Sequence, residues 1–146
     1  MQNPYRHLVK HPIIWQIALV CYWSALFAAT HLPVEMPIAL PGHWTDKVVH
    51  LAAFAILAVL LAITWQLGAG QIAFRHLWWL WVLLVLYGAI DEWTQAPVGR
   101  QASVWDWLAD ALGAAIGLAL FATLRRWNTG APRAAAIEAR SDNRTQ

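Results

Sequence analysis

Four apolar runs, two complete and two cut short, limit what this chain can become more than any other feature. From Pro12 to Thr30 the run is broken only by Gln16 and Ser24, about the 20 residues that a helix needs to cross a bilayer core. A second run, opened by Asp46-Lys47, covers Val48–Leu67. The third, Leu77–Ile90, and the fourth, Ala111–Leu124, hold 14 residues each. At about 1.5 Å per residue each reaches roughly 21 Å across a core of about 30 Å. To cross, the third must continue through Asp91, Glu92 and Gln95, and the fourth must begin with Asp106 and Asp110 inside the helix. The expected spans are therefore about 12–30, 47–67, 76–95 and 104–124.

A chain that is 60% apolar and 12% charged lies outside the balance of a soluble domain. The expected class is all-α: a bundle of four transmembrane helices in one domain, residues 1–127. The polar remainder, 128–146, lacks an apolar face and reads as a disordered tail. Breakers mark the connections. Pro33, Pro37, Pro41 and Gly42 keep residues 31–45 from being one helix, and Gly68, Gly70 and Arg75-His76 make a tight return. Pro12 suits a first helical turn, and Thr45 or Asp46 can cap the second span. Ser103 followed three residues on by Asp106 is a capping pattern, and Gly99 after Pro97 serves a tight turn.

Orientation follows from the basic residues. With both termini cytoplasmic, that side holds Arg6, Lys10, Arg75, Arg125, Arg126, Arg133, Arg140 and Arg144, against Lys47 and Arg100 on the other. Eight against two is a positive-inside bias. Trp15, Trp65, Trp78, Trp79 and Trp127 fall near one interface, and Trp44, Trp93, Trp105 and Trp107 near the other, as aromatic belts do. No basic stripe supports nucleic-acid binding. The single cysteine, Cys21, excludes an internal disulfide and a cysteine-based metal site. A cleavable signal peptide is not expected, because the first run is too long.

This topology gathers Asp46, Lys47, His50, Asp91, Glu92, Gln95, Arg100, Asp106 and Asp110 at the outer face, including five of the eight acidic residues. Lys47, His50 and Phe54 share one helical stripe, as do Tyr87, Asp91 and Gln95, with Glu92 on the adjoining face. Asp106, Asp110, Gly113 and Gly117 form another, whose glycines let a second helix approach closely. Facing lipid, such stripes would not be tolerated; facing one another, they bury each other's charge. Lys47 with Asp91 or Glu92, and Arg100 with Asp106, are the expected pairs.

Asp46-Lys47-Val48-Val49-His50, then Tyr87-Gly88-Ala89-Ile90-Asp91-Glu92-Trp93-Thr94-Gln95, Gly99-Arg100, Ser103, Asp106, Gly113 and Gly117 together resemble the VanZ-like family of small bacterial membrane proteins. The resemblance covers roughly residues 44–120. Val98 separates Pro97 from Gly99 where the family's commoner spelling joins proline, glycine and arginine, and Asp110 stands where many members carry asparagine. The resemblance implies a multi-pass protein of the bacterial inner membrane with a cell-envelope role and a link to teicoplanin resistance. It implies no established reaction.

Three functions fit these residues. Lys47 and Arg100 could take the anion of a polar or phosphorylated lipid or cell-wall-precursor headgroup, with Asp91, Glu92 and Gln95 on its hydroxyls or amines. Asp91, Glu92 or His50 could act as general base in hydrolysis or transfer on a lipid-linked substrate. Asp91, Glu92, Asp106, Asp110 and His50 could hold a divalent cation: Mg²⁺ or Ca²⁺ by their oxygens, Zn²⁺ through His50. Beside all three stands a structural salt-bridge network or a partner-binding module. His31 and His43 carry no expected role.

Overall fold

The computed structural model describes residues 11–31, 43–95, 97 and 103–142, with side chains described from 45 in the second of these segments and as far as 127 in the last. The described residues form four α-helices: α1 (Pro12–His31), α2 (His43–Ala69), α3 (Phe74–Gln95) and α4 (Val104–Asp142). No strand occurs among the described residues. Three stretches, Pro12–His31, Thr45–Ala69 and Val104–Trp127, are long and apolar enough to cross a membrane. The remaining helix, α3, has 22 residues and so a length of about 33 Å, but Arg75, four tryptophans and the Asp91-Glu92 pair lower its hydropathy.

The helix limits follow local chemistry. Helix α2 begins at His43, just past Pro41-Gly42, so Thr45 and Asp46 lie inside its first turn instead of capping it. Asp46 there still complements the positive end of the helix dipole. At the other end Gly70, at φ +84°, takes the left-handed conformation that closes α2, and its N–H donates to Gln66 O at 3.1 Å. Where α3 starts, His76 Nδ1 accepts the Ala73 N–H at 3.0 Å, as the third residue of a capping box does. Helix α4 runs past Arg125-Arg126-Trp127 to Asp142.

Cross-helix contacts give the directions. Tyr22 donates to Ala53 O at 3.0 Å and Thr64 to Trp15 O at 3.3 Å, so α1 and α2 are antiparallel. Trp81 Nε1 donates to Ala111 O and Trp107 Nε1 to Val85 O, both at 3.0 Å, which sets α3 antiparallel to α4. Helices α2 and α4 run parallel along the most extensive interface of the bundle. Their backbones touch: a Cβ on Gly113 would run into the carbonyl of Leu51, and one on Gly117 into that of Ala55. Below this seam Leu57, Ala58, Ala62, Leu84, Ala114 and Leu118 form the buried core.

Around that core Ile17, Val20, Leu83, Leu86, Ile116 and Leu120 are exposed. In water so much uncovered apolar surface would drive association; in a bilayer it is the surface that lipid covers. Trp65, Trp78, Trp79 and Trp127 are exposed towards one end of the bundle, and Trp93 and Trp105 towards the other.

Candidate functional site

The polar residues meet at the end where α1 and α3 finish and α2 and α4 begin. Asp91, Glu92 and Gln95 lie in the last two turns of α3, and Asp106 and Asp110 in the first two of α4. All five are buried, Asp91 to 1% exposure and Asp110 to 0%. Short apolar runs therefore do carry their acidic neighbours below the surface of the bundle.

Two clasps assemble there. Between α1 and α3, Asp91 Oδ1 accepts from the Thr30 hydroxyl at 3.1 Å and Oδ2 from Gln95 Nε2 at 3.0 Å. The Tyr87 hydroxyl lies 3.5 Å from Oδ1 on the same stripe. His31 closes this side, its Nε2 2.9 Å from Thr94 Oγ1 and its Nδ1 3.8 Å from Asp91 Oδ1. Between α2 and α4, Lys47 Nζ donates to Asp106 Oδ1 at 2.8 Å, and His50 Nδ1 lies 3.0 Å from Asp110 Oδ1. With that carboxylate ionised and the imidazole neutral, Nδ1–H is the donor and Nε2 keeps its lone pair. Phe54, 1% exposed, stacks on Tyr87 with ring centroids 5.8 Å apart, and with Trp23 against the far edge of Tyr87 it floors the site with aromatic surface.

Glu92 joins the two halves. Its Oε2 accepts the Ser103 N–H at 2.8 Å, the bond that a capping-box carboxylate makes from within its own helix. Ser103 does cap α4, weakly through its hydroxyl, 3.4 Å from the Asp106 N–H, and through its carbonyl, 3.1 Å from the same group. Because Glu92 covers the Ser103 N–H from α3, the Asp106 carboxylate is available to Lys47.

One acceptor is left over. Asp110 Oδ2 is buried and has no hydrogen-bond partner among the described residues. It borders α3 at Gly88, where a Cβ would come within 3.2 Å of it. Among the described residues two groups bring ligand atoms within 4.8 Å of one another: Asp46, His50 and Asp106, and His50, Glu92 and Asp110. Asp91, expected among the cation ligands, belongs to neither; its oxygens are turned to α1 and α3 side chains.

The pairing differs from expectation at Lys47, which meets Asp106 and neither Asp91 nor Glu92. The reason is the glycine seam: it makes α2 the parallel neighbour of α4, first turn beside first turn, while Asp91 faces α1. Arg100 and Gly99 lie outside the described residues, as does the expected Arg100–Asp106 pair. Thr30, His31 and Thr94 were not expected here. Their signal was topological, since a span ending at Thr30-His31 must finish at the face where the acids gather.

The sequence profile of the VanZ/LLP1 family matches residues 7–125, most of the chain and every described residue of the site. The chain belongs to the VanZ/LLP1 family. No curated protein and no solved structure matches it. Family and apolar helices together make it a membrane protein. In this VanZ/LLP1 protein the described part of the polar end holds five carboxylates, from Asp46, Asp91, Glu92, Asp106 and Asp110, against Lys47 and the two imidazoles of His31 and His50. That excess of acid suits a cation, an amine or a hydroxyl more than a bare anion.

Proposed function

We propose that this VanZ/LLP1 protein crosses the bacterial inner membrane four times with both termini inside. Its extracytoplasmic polar end recognises the headgroup of a lipid or lipid-linked cell-wall precursor. The observation that carries this reading is the layering of charge at that end. Lys47, with 28% of its side chain exposed, stands at the rim against Asp106, and the His50–Asp110 pair lies beneath it at 10% and 0%. A headgroup with a phosphate beside an amine or hydroxyl would meet a cation at the rim and acceptors below. Such a role belongs to the cell envelope, and glycopeptide susceptibility is its physiological readout.

Native mass spectrometry of the protein released from membranes in mild detergent tests this. Wild type should retain a headgroup-bearing lipid that Glu92→Gln and Lys47→Met lose, with both variants monodisperse. Equal retention by all three would contradict the reading.

The His50–Asp110 contact favours a second reading. A carboxylate that holds one imidazole nitrogen leaves the other free to act as general base, as in hydrolysis or transfer on a lipid-linked substrate. Turnover of a lipid-linked diphosphate, abolished in His50→Gln while lipid retention persists, would select it.

A further inference from the structure

We propose that His50, Glu92 and Asp110 form a binding site for a divalent metal ion of the Zn²⁺ type. The three residues come from α2, α3 and α4, and each offers a ligand atom within 4.8 Å of the others. An ion with bonds of about 2.0–2.2 Å spans separations up to roughly twice that length, so small side-chain adjustments close the set around it.

A second observation points to a ligand. Asp110 is wholly buried, and its Oδ2 has no hydrogen-bond partner among the described residues. That atom faces the side of α3 that carries Gly88 and, one turn on, Glu92. Glycine at 88 leaves the space in which the oxygen stands, since a Cβ there would come within 3.2 Å of it and 3.3 Å of the Asp110 Cβ. A buried carboxylate oxygen turned towards a second buried carboxylate is repulsive unless a cation or a proton comes between them. Lys47 does not serve, because Asp106 holds it.

The donor set decides the class of ion. One imidazole and two carboxylates suit a borderline cation, whereas Mg²⁺ and Ca²⁺ favour oxygen ligands alone. The competing group, Asp46, His50 and Asp106, is less suited: Asp46 is exposed and Asp106 is already ion-paired. Three protein ligands leave a coordination position open, the arrangement of zinc sites that take up water or a substrate oxygen. On the headgroup reading that position would receive the phosphate, but the metal site is tested without any lipid, so either can fail alone.

The test uses the full chain in detergent, stripped with chelator, dialysed and titrated with Zn²⁺ at low micromolar concentration. Wild type should hold about one equivalent, and Glu92→Gln, Asp110→Asn and His50→Gln should each weaken binding about tenfold or more. Asp46→Asn should bind as wild type does. Co²⁺ added to stripped wild type should give the visible absorption of a tetrahedral site, displaced by Zn²⁺, a readout that holds even if one variant fails to fold. Less than about a tenth of an equivalent in wild type would overturn the proposal. So would undiminished binding by monodisperse Glu92→Gln and Asp110→Asn, or loss in Asp46→Asn with retention in Glu92→Gln.

Discussion

Helices α2 and α4 are held together by opposite means at two places only a few residues apart. At Gly113 and Gly117 there are no side chains, and the helices meet backbone to backbone against Leu51 and Ala55. Less than two turns nearer the polar end they meet through charge, Lys47 with Asp106 and His50 with Asp110. In lipid, burying more hydrocarbon adds little between helices, so close packing and polar contacts have to do the holding. The two depend on each other. Aspartate is a short side chain, and it reaches His50 because the glycines have already drawn the helices together. Charge without the seam would be left facing lipid, and the seam without charge would be packing with no site attached.

The comparison can be broken from the polar side first. His50→Ala removes the partner of a wholly buried carboxylate and should lower stability by about 3 kcal/mol, measured by reversible unfolding in detergent micelles. A loss under about 0.5 kcal/mol would show that Asp110 does not depend on the imidazole. From the seam side, Gly113→Ala should cost about 1–3 kcal/mol, because the new methyl meets backbone that cannot rotate away. Gly68→Ala is its control. Nothing lies within 4 Å of a Cβ there, so it should stay within about 0.5 kcal/mol of wild type. Among the destabilising changes the smallest effect should come from Thr30→Val, which at nearly constant volume removes the hydroxyl that bonds Asp91 and also lies 3.0 Å from Phe27 O. It should cost about 0.5–1 kcal/mol in the same assay. A cost as large as that of His50→Ala would make the α1–α3 clasp the principal one.

Much of this was legible in the sequence, because depth is a matter of counting. Fourteen apolar residues cannot cross a bilayer core, so Asp91, Glu92, Asp106 and Asp110 had to enter their helices and bury there. Stripe arithmetic likewise put Gly113 and Gly117 in line with Asp110. What counting cannot supply is which helix stands beside which. Lys47 could have met any acid at its face of the membrane, and its choice of Asp106 depends on α2 and α4 being parallel neighbours. A lone threonine and histidine at a span end imply no role by themselves; only the packing of α1 on α3 makes Thr30 and His31 partners of Asp91 and Thr94. Glu92 reads as a free acid in a list of residues, yet it caps the neighbouring helix.

The central claim is that the acids of α4 and the bases of α2 share one buried network. A double-mutant cycle on His50→Ala and Asp110→Ala, measured by reversible unfolding in the presence of chelator, tests it most directly. The account predicts a coupling energy of about 1–2 kcal/mol, at the upper end of interhelical polar contacts within membranes. Additivity within about 0.3 kcal/mol would contradict it, because the two side chains would then be buried without meeting.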